Sequence, residues 1–237
     1  MEFPMRINKY LAVKNYASRR EADHFIESRL VRINGHLAKL GDKVFEDDKV
    51  TVGALVTKRI QNLVYFAYNK PRGIVTHSPE EEQEAITDIV NKLNIGLRVF
   101  PVGRLDRSSR GLIILTNDGR ITDRLLNPKY EHEKEYVVKV NKPLEKHFVK
   151  HLASGIDIEG YKTKSAKVKQ VSETVFSLVL GEGKKHQIRR MCAAFGYGVV
   201  DLVRVRVMNI NLKNLKEGQF RKIEGEELKE FLKKLDL

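Results

Sequence analysis

The stretch GRLDRSSRGLIILTNDG, residues 103–119, sets one aspartate, Asp106, between Arg104 and Arg107, with Arg110 one turn further on and an apolar run behind them. Two readings fit. The carboxylate can close a loop as an Asx turn, bonding the amides of Ser108 and Ser109. It can equally be held ionised at a cleft, where nearby guanidinium groups lower an aspartate's pKa. A second stretch, HEKEYVVKV, carries Tyr136 into a strand. A strand tyrosine ordinarily packs in a core, but its phenol can also stack on a base and move a proton. A third, GEGKKHQIRRMCAAFG, brings Lys184, Lys185, Arg189 and Arg190 to the start of a helix. Helix N-termini attract anions, so cations there add to a phosphate- or carboxylate-binding end. A solvent-facing basic helix is the competing account. It fits Arg189 poorly, because Arg189 follows Ile188 on a stripe that continues through Met191, Cys192 and Phe195. His186 and Gln187 have no second histidine or carboxylate at metal-ligand spacing, so no metal is expected. A glycoside hydrolase normally offers two opposed carboxylates, and one placed acid stands out here.

The rest of the chain bounds what these residues can act on. Its 237 residues carry 44 Lys and Arg against 31 Asp and Glu, a formal charge of +13. With a pI near 9.7 the chain repels itself unless it meets a polyanion, and nucleic acid is the usual one. Cys192 is the sole cysteine, which excludes an intramolecular disulfide and a cysteine zinc cluster. No run approaches the ~18 apolar residues of a membrane span, and MEFPMRINKYL lacks a signal peptide's apolar core. A cytoplasmic monomer is the expectation. Neither a G-x-G-x-x-G after a strand nor a G-x-x-x-x-G-K-[ST] is present, so the nucleotide-cofactor fingerprints are missing and no cofactor is expected.

The elements that must position these groups fall into two units. In the first, Ile7, Tyr10 and Leu11 recur at helical spacing. Ser18 and Glu21 form an S-x-x-E capping box that starts a second helix, whose stripe is Ala22, Phe25 and Ile26. LVRINGHLAK then reads as a hairpin around Asn34-Gly35, and DDKVTV as a further short strand. Between residues 5 and 40, eight basic residues (Arg6, Lys9, Lys14, Arg19, Arg20, Arg29, Arg32, Lys39) face three acidic ones, eight minus three leaving five positive charges. A charge run is often only a solvated face. The layout nevertheless resembles the S-four RNA-binding domain over roughly residues 5–52. That resemblance implies that Arg6, Lys9, Arg19, Arg20 and Arg32 meet structured RNA.

Residues 53–62, GALVTKRIQN, show no clear period and read as the linker region. The division expected is 1–58 for the RNA-binding unit, 59–64 for the linker and 65–237 for the second unit. There LVYFAYNKP, RVFPVG, GLIILT, EKEYVVKV and VFSLVL read as strands. GRITDRLLN, PLEKHFVKHLASG, KHQIRRMCAAFG and GEELKEFLKKL have helical spacing. The fold class is α+β, with a mixed, mainly antiparallel sheet flanked by helices.

Taken together, GRLD with GLIILTNDG, KEYVV, and GKKHQIRRM resemble, in order and spacing, the three blocks of the pseudouridine synthases. The likeness is to the RsuA/RluB/RluE/RluF family that modifies bacterial ribosomal RNA, and it runs from about residue 62 to 223. YEHEKEYVVKV is closest to the RluF type, which acts on large-subunit rRNA. The resemblance implies that Asp106 initiates cleavage of the uridine glycosidic bond, by attack at C1′ or removal of the C2′ proton. It further implies that Arg189 pairs with this carboxylate and that Tyr136 stacks on the uracil and helps remove the C5 proton. Ile188 becomes an apolar wall and Arg104 a guide for the flipped nucleotide, with Lys184 and Lys185 on phosphates. The reaction is an isomerisation and requires no cofactor or metal. Large-subunit rRNA is the favoured partner, free or in a precursor particle; small-subunit rRNA, tRNA, and a non-catalytic ribosome-assembly role are the alternatives. Where the family usually has threonine this chain has Ser109, which keeps the hydroxyl. Arg110 replaces a commonly uncharged residue, and its use is open at this level.

Overall fold

The computed structural model describes residues 3–76, 85–92 and 99–237; Arg98, the first residue of the RVFPVG run, lies outside them. The N-terminal unit follows its local signals. Helices Ile7–Val13 and Arg19–Glu27 pack together over Ile7, Leu11, Ala22 and Ile26. Glu21 N–H donates to Ser18 Oγ at 3.3 Å and Ser18 N–H to Glu21 Oε2 at 2.9 Å, which closes the capping box. Asn34 and Gly35 take φ of 50° and 83°, the two left-handed residues that a two-residue hairpin requires. Strand Val31–Ile33 pairs with His36–Leu37 on one side and Val50–Val52 on the other.

The segment read as irregular is a helix, Ala54–Gln61. Ala, Leu, Lys, Arg and Gln favour helix intrinsically. Val56 is fully buried while Leu55 is exposed, so these neighbouring apolar residues lie in opposite environments and lay down no helical stripe.

Among the described residues the large sheet has nine strands. Across it run Lys167–Gln170, Val175–Leu180, Lys134–Val140, Val199–Val207, Arg110–Thr116, Tyr65–Lys70 and Phe220–Lys222. Every neighbouring pair is antiparallel except Val199–Val207 with Arg110–Thr116, which is parallel. The sheet is therefore mixed and mainly antiparallel, as the patterning implied. GLIILT is apolar throughout because both faces are covered. Leu112 and Ile114 pack with Tyr65, Phe231 and Leu125, whereas Ile113 and Leu115 pack with Phe66, Tyr68 and Ile86. At the other end of the sheet, helices Lys146–Ser154 and Gln187–Ala193 bury Phe148, Leu152, Met191 and Cys192 against Val138, Phe176 and Leu178.

Sequence patterning assigned nothing to Val199–Val207, yet this nine-residue strand stands at the centre. Its Val-Arg alternation reads as a half-exposed edge, but Arg204 is 4% exposed. Gly111, with φ of 108°, lets it dock: a Cβ there would lie 2.3 Å from Arg204 O. The N-terminal unit rests on the TNDG turn. Arg120 Nη1 donates to Asn15 O at 2.7 Å and Arg124 Nη2 to Asn15 Oδ1 at 3.1 Å.

Candidate active site

Asp106 lies in the loop between strands Phe100–Val102 and Arg110–Thr116, and the loop is held through its main chain. Thr76 Oγ1 donates to Leu105 O at 2.8 Å and accepts from Leu105 N–H at 3.1 Å. Gly73 N–H donates to Arg107 O at 2.8 Å, and Arg107 Nε donates back to Gly73 O at 3.1 Å. Lys70, fully buried, donates from Nζ to Ser109 O at 2.8 Å and Pro71 O at 2.9 Å. Burial lowers the Lys70 pKa to about 8, although the Asp106 charge opposes the shift. Restraints at 105, 107 and 109 leave the Asp106 side chain to face the cleft. Ser109 N–H donates to the main-chain carbonyl of Asp106 at 3.0 Å. The Asx turn is not formed: among the described residues the carboxylate accepts no hydrogen bond from the Ser108 or Ser109 amide.

A cleft of about 520 Å³ opens beside this loop. Arg104, Asp106, Tyr136, Lys184, Lys185, Ile188 and Arg189 all line it, so the tertiary structure brings the three separated blocks together. Tyr136, half-buried on strand Lys134–Val140, pairs in register with Leu178 on one side and Arg204 on the other. Ile188 is 6% exposed and forms an apolar wall. Lys184, Lys185 and Arg104 are exposed at the mouth, where phosphates of a large ligand would pass.

The expected Arg189–Asp106 ion pair is absent among the described residues. Arg189 Nη1 donates to Val199 O at 3.3 Å, and Nη2 to Ser108 O at 3.2 Å and Ser109 Oγ at 3.4 Å. Main-chain carbonyls of the Asp106 loop and of strand Val199–Val207 hold the guanidinium, so Arg189 acts on the loop rather than on the carboxylate. The basic side chain against Asp106 is His186, with Nε2 at 3.5 Å from Oδ1. His186 adopts φ of 52° as the residue preceding helix Gln187–Ala193.

Arg110 is ion-paired within the protein. Its Nη2 and Nε grip both oxygens of Asp201 at 2.6 and 3.1 Å, and Nη1 reaches Glu217 at 2.7 Å. Arg72 Nη2 meets the same Asp201 at 2.5 Å. Side chains that sequence reading missed also line the cleft, among them Lys134, Arg204, His186 and Glu182. Lys134 stands two residues before Tyr136, a spacing that signals a shared strand face; Arg204 left no readable signal. Arg6, Lys9, Arg19, Arg20 and Arg32 lie outside the cleft, on the N-terminal unit, exposed and without a carboxylate partner among the described residues.

A cleft lined by Asp106, a strand tyrosine and several basic side chains, beside an appended basic unit, defines the class: an RNA-modifying enzyme. The chain belongs to the RNA pseudouridylate synthase family, whose sequence model matches residues 64–194, and an S4 domain matches residues 5–50. It is 43% identical over 233 residues to the dual-specificity RNA pseudouridine synthase RluF of Salmonella typhi, covering 98% of this chain and 80% of that one. The ribosomal large subunit pseudouridine synthase B of Bacillus subtilis is 36% identical over 232 residues, covering 94% of each. A crystal structure of a pseudouridylate synthase superposes with a TM-score of 0.68 at 30% identity, over 98% of this chain and 99% of that one. No helix among the described residues is long and apolar enough to cross a membrane.

Proposed function

We propose that this enzyme converts a uridine of large-subunit ribosomal RNA to pseudouridine, with Asp106 opening the glycosidic bond and Tyr136 stacking on the released base. The observation that carries the reading is the loop around Asp106. Seven hydrogen bonds tie this loop to Thr76, Gly73, Lys70 and Arg189, and they hold the Asp106 carboxylate at the cleft that Tyr136 lines. Such preorganisation is what positioning a flipped nucleotide for attack demands. Arg189 serves this geometry by holding Ser108, and Ile188 closes the apolar side. Arg104, Lys184 and Lys185 engage phosphates at the mouth, while Arg6, Lys9, Arg19, Arg20 and Arg32 set register on folded RNA.

Large-subunit rRNA is favoured by the likeness to the Bacillus large-subunit enzyme and by the YEHEKEYVVKV block. The name of the Salmonella relative, dual-specificity, favours a second target, and tRNA is the alternative of choice. The test maps pseudouridine across all rRNA and tRNA in a deletion strain complemented with wild type or Asp106→Asn. One large-subunit uridine that only wild type restores is the expected result. An unchanged map removes the assignment and leaves a binding role in ribosome assembly.

A further inference from the structure

Two cations on the inner wall of the cleft have no carboxylate against them among the described residues. Arg204 donates from Nε to Leu112 O at 2.7 Å and from Nη1 to Arg104 O at 3.3 Å, both main-chain carbonyls. Lys134 Nζ donates to His132 O at 3.1 Å and makes no other hydrogen bond or ion pair among the described residues. Lys134 and Tyr136 are two apart on one strand and share a face. Arg204 sits directly across from Tyr136 on the neighbouring strand, which places it on that face as well. Burial, reinforced by the Arg204 charge, lowers the Lys134 pKa to about 8.

A desolvated cation without a counter-ion is costly, and the two that line this cleft would gain from an anion arriving there. The phosphates have their own partners at the mouth, in Lys184, Lys185 and Arg104. What reaches the Tyr136 face is the base. Isomerisation breaks the C1′–N1 bond heterolytically, and the electron pair leaves with the ring as a uracil monoanion delocalised over N1, O2 and O4. C5 then bonds to C1′ as the Asp106 carboxylate leaves C1′ or, on the glycal route, returns its proton to C2′; the C5 proton departs and N1 takes up a proton, so no atom is lost from the nucleotide. The base is anionic between these steps whichever way Asp106 begins the reaction.

We propose that Lys134, with Arg204 beside it, holds the detached uracil as its anion, Nζ donating to a ring carbonyl oxygen while the base turns on Tyr136. This rests on the reading of the cleft as a uridine site. It adds to that reading the group that stabilises the leaving base and keeps it from escaping.

Lys134→Met preserves length and removes the charge. The substrates are large-subunit rRNA transcripts made with uridine or with 5-fluorouridine, whose fluorine acidifies the ring and lets it leave with less help. On uridine the variant should slow single-turnover C1′–N1 cleavage by about 10²–10³-fold, the usual effect of losing one preorganised donor. On 5-fluorouridine the slowing should shrink to about tenfold or less, because the more acidic leaving group needs less of the same stabilisation. RNA affinity should stay within about twofold and the melting temperature should not fall, since a half-buried charge without a counter-ion has been removed. Lys134→Arg should recover part of the uridine rate. Equal slowing on both transcripts, or a lowered melting temperature with normal residual chemistry, overturns the proposal. Wild-type turnover of the uridine transcript is the control. If wild type converts none, the substrate reading fails and the proposal falls with it; if only the variants behave otherwise than stated, Lys134 alone is at fault.

Discussion

His186 Nε2 stands 3.5 Å from Asp106 Oδ1, while Arg189 turns to Ser108 O and Val199 O. Asp106 is therefore positioned by the loop that carries it, with the His186 imidazole beside its carboxylate. Asp106→Asn keeps the shape of the side chain and removes its nucleophilic and basic character. Turnover should fall by at least about 10³-fold, the scale of losing the group that starts the chemistry. RNA affinity should remain within about twofold. Tritium release from C5-labelled RNA, with filter binding beside it, checks both; an active Asn variant would remove Asp106 from the reaction.

Tyr136 offers a ring and a hydroxyl, and Tyr136→Phe separates them. Stacking survives, so binding should hold, while loss of a positioned acid or base should slow product formation by about 10²-fold. A pH–rate profile matching wild type at every pH would reduce the phenol to a platform.

Arg19 and Arg20 are exposed at the start of their helix and have no carboxylate partner among the described residues. Arg19→Ala with Arg20→Ala should weaken RNA binding and lower the slope of log K against log salt by about one for each phosphate no longer neutralised. Single-turnover rate at saturating enzyme should be unchanged. An unaltered salt slope would take this helix out of the RNA interface.

Asp201 joins Arg72, next to the buried Lys70, to Arg110, just past the Asp106 loop. Burial opposes its ionisation, but hydrogen bonds from Arg110 and Arg72 outweigh it and hold the carboxyl below the usual carboxylate range. A lowered folded pKa contributes stability that is present above the unfolded value of ~3.9 and is lost as pH falls through the folded value. Asp201→Asn should cost about 1–2 kcal/mol near neutrality. The gap from wild type should narrow as pH falls through the lowered folded pKa and close below it. Denaturant melts taken from pH 7 down through that range read this, and a gap that never narrows in acid would mean that packing, not charge, carries Asp201.

Cys192 is fully buried, and burial pushes its thiol up to about 12 against ~8.5 for a free one. The native protein should resist a thiol reagent at pH 8 and release one equivalent once unfolded in guanidinium. The same shift makes stability fall as pH rises above ~8.5, where the unfolded chain ionises first. Rapid labelling under native conditions would contradict the burial.

The groups that could do chemistry were legible because the chain writes them in short runs. GRLD, KEYVV and GKKHQIRRM carry their own residues, and the capping box and the Asn34-Gly35 hairpin are local in the same sense, each decided within four residues. The helix at Ala54–Gln61 was not legible, since buried Val56 and exposed Leu55 stand side by side and set no period. Nor was the central strand Val199–Val207, whose buried Arg204 imitates a solvent-facing residue. Only the tertiary structure set Lys134, Arg204 and Asp106 around one cleft, placed Lys70 under Ser109 and paired Arg110 with Asp201. The bonds Lys70–Ser109, Arg110–Asp201 and Arg204–Leu112 join residues 39, 91 and 92 positions apart, and the first and last end on main-chain carbonyls. A carbonyl has the same chemistry at every position, so no residue type announces which one a buried lysine or arginine will find.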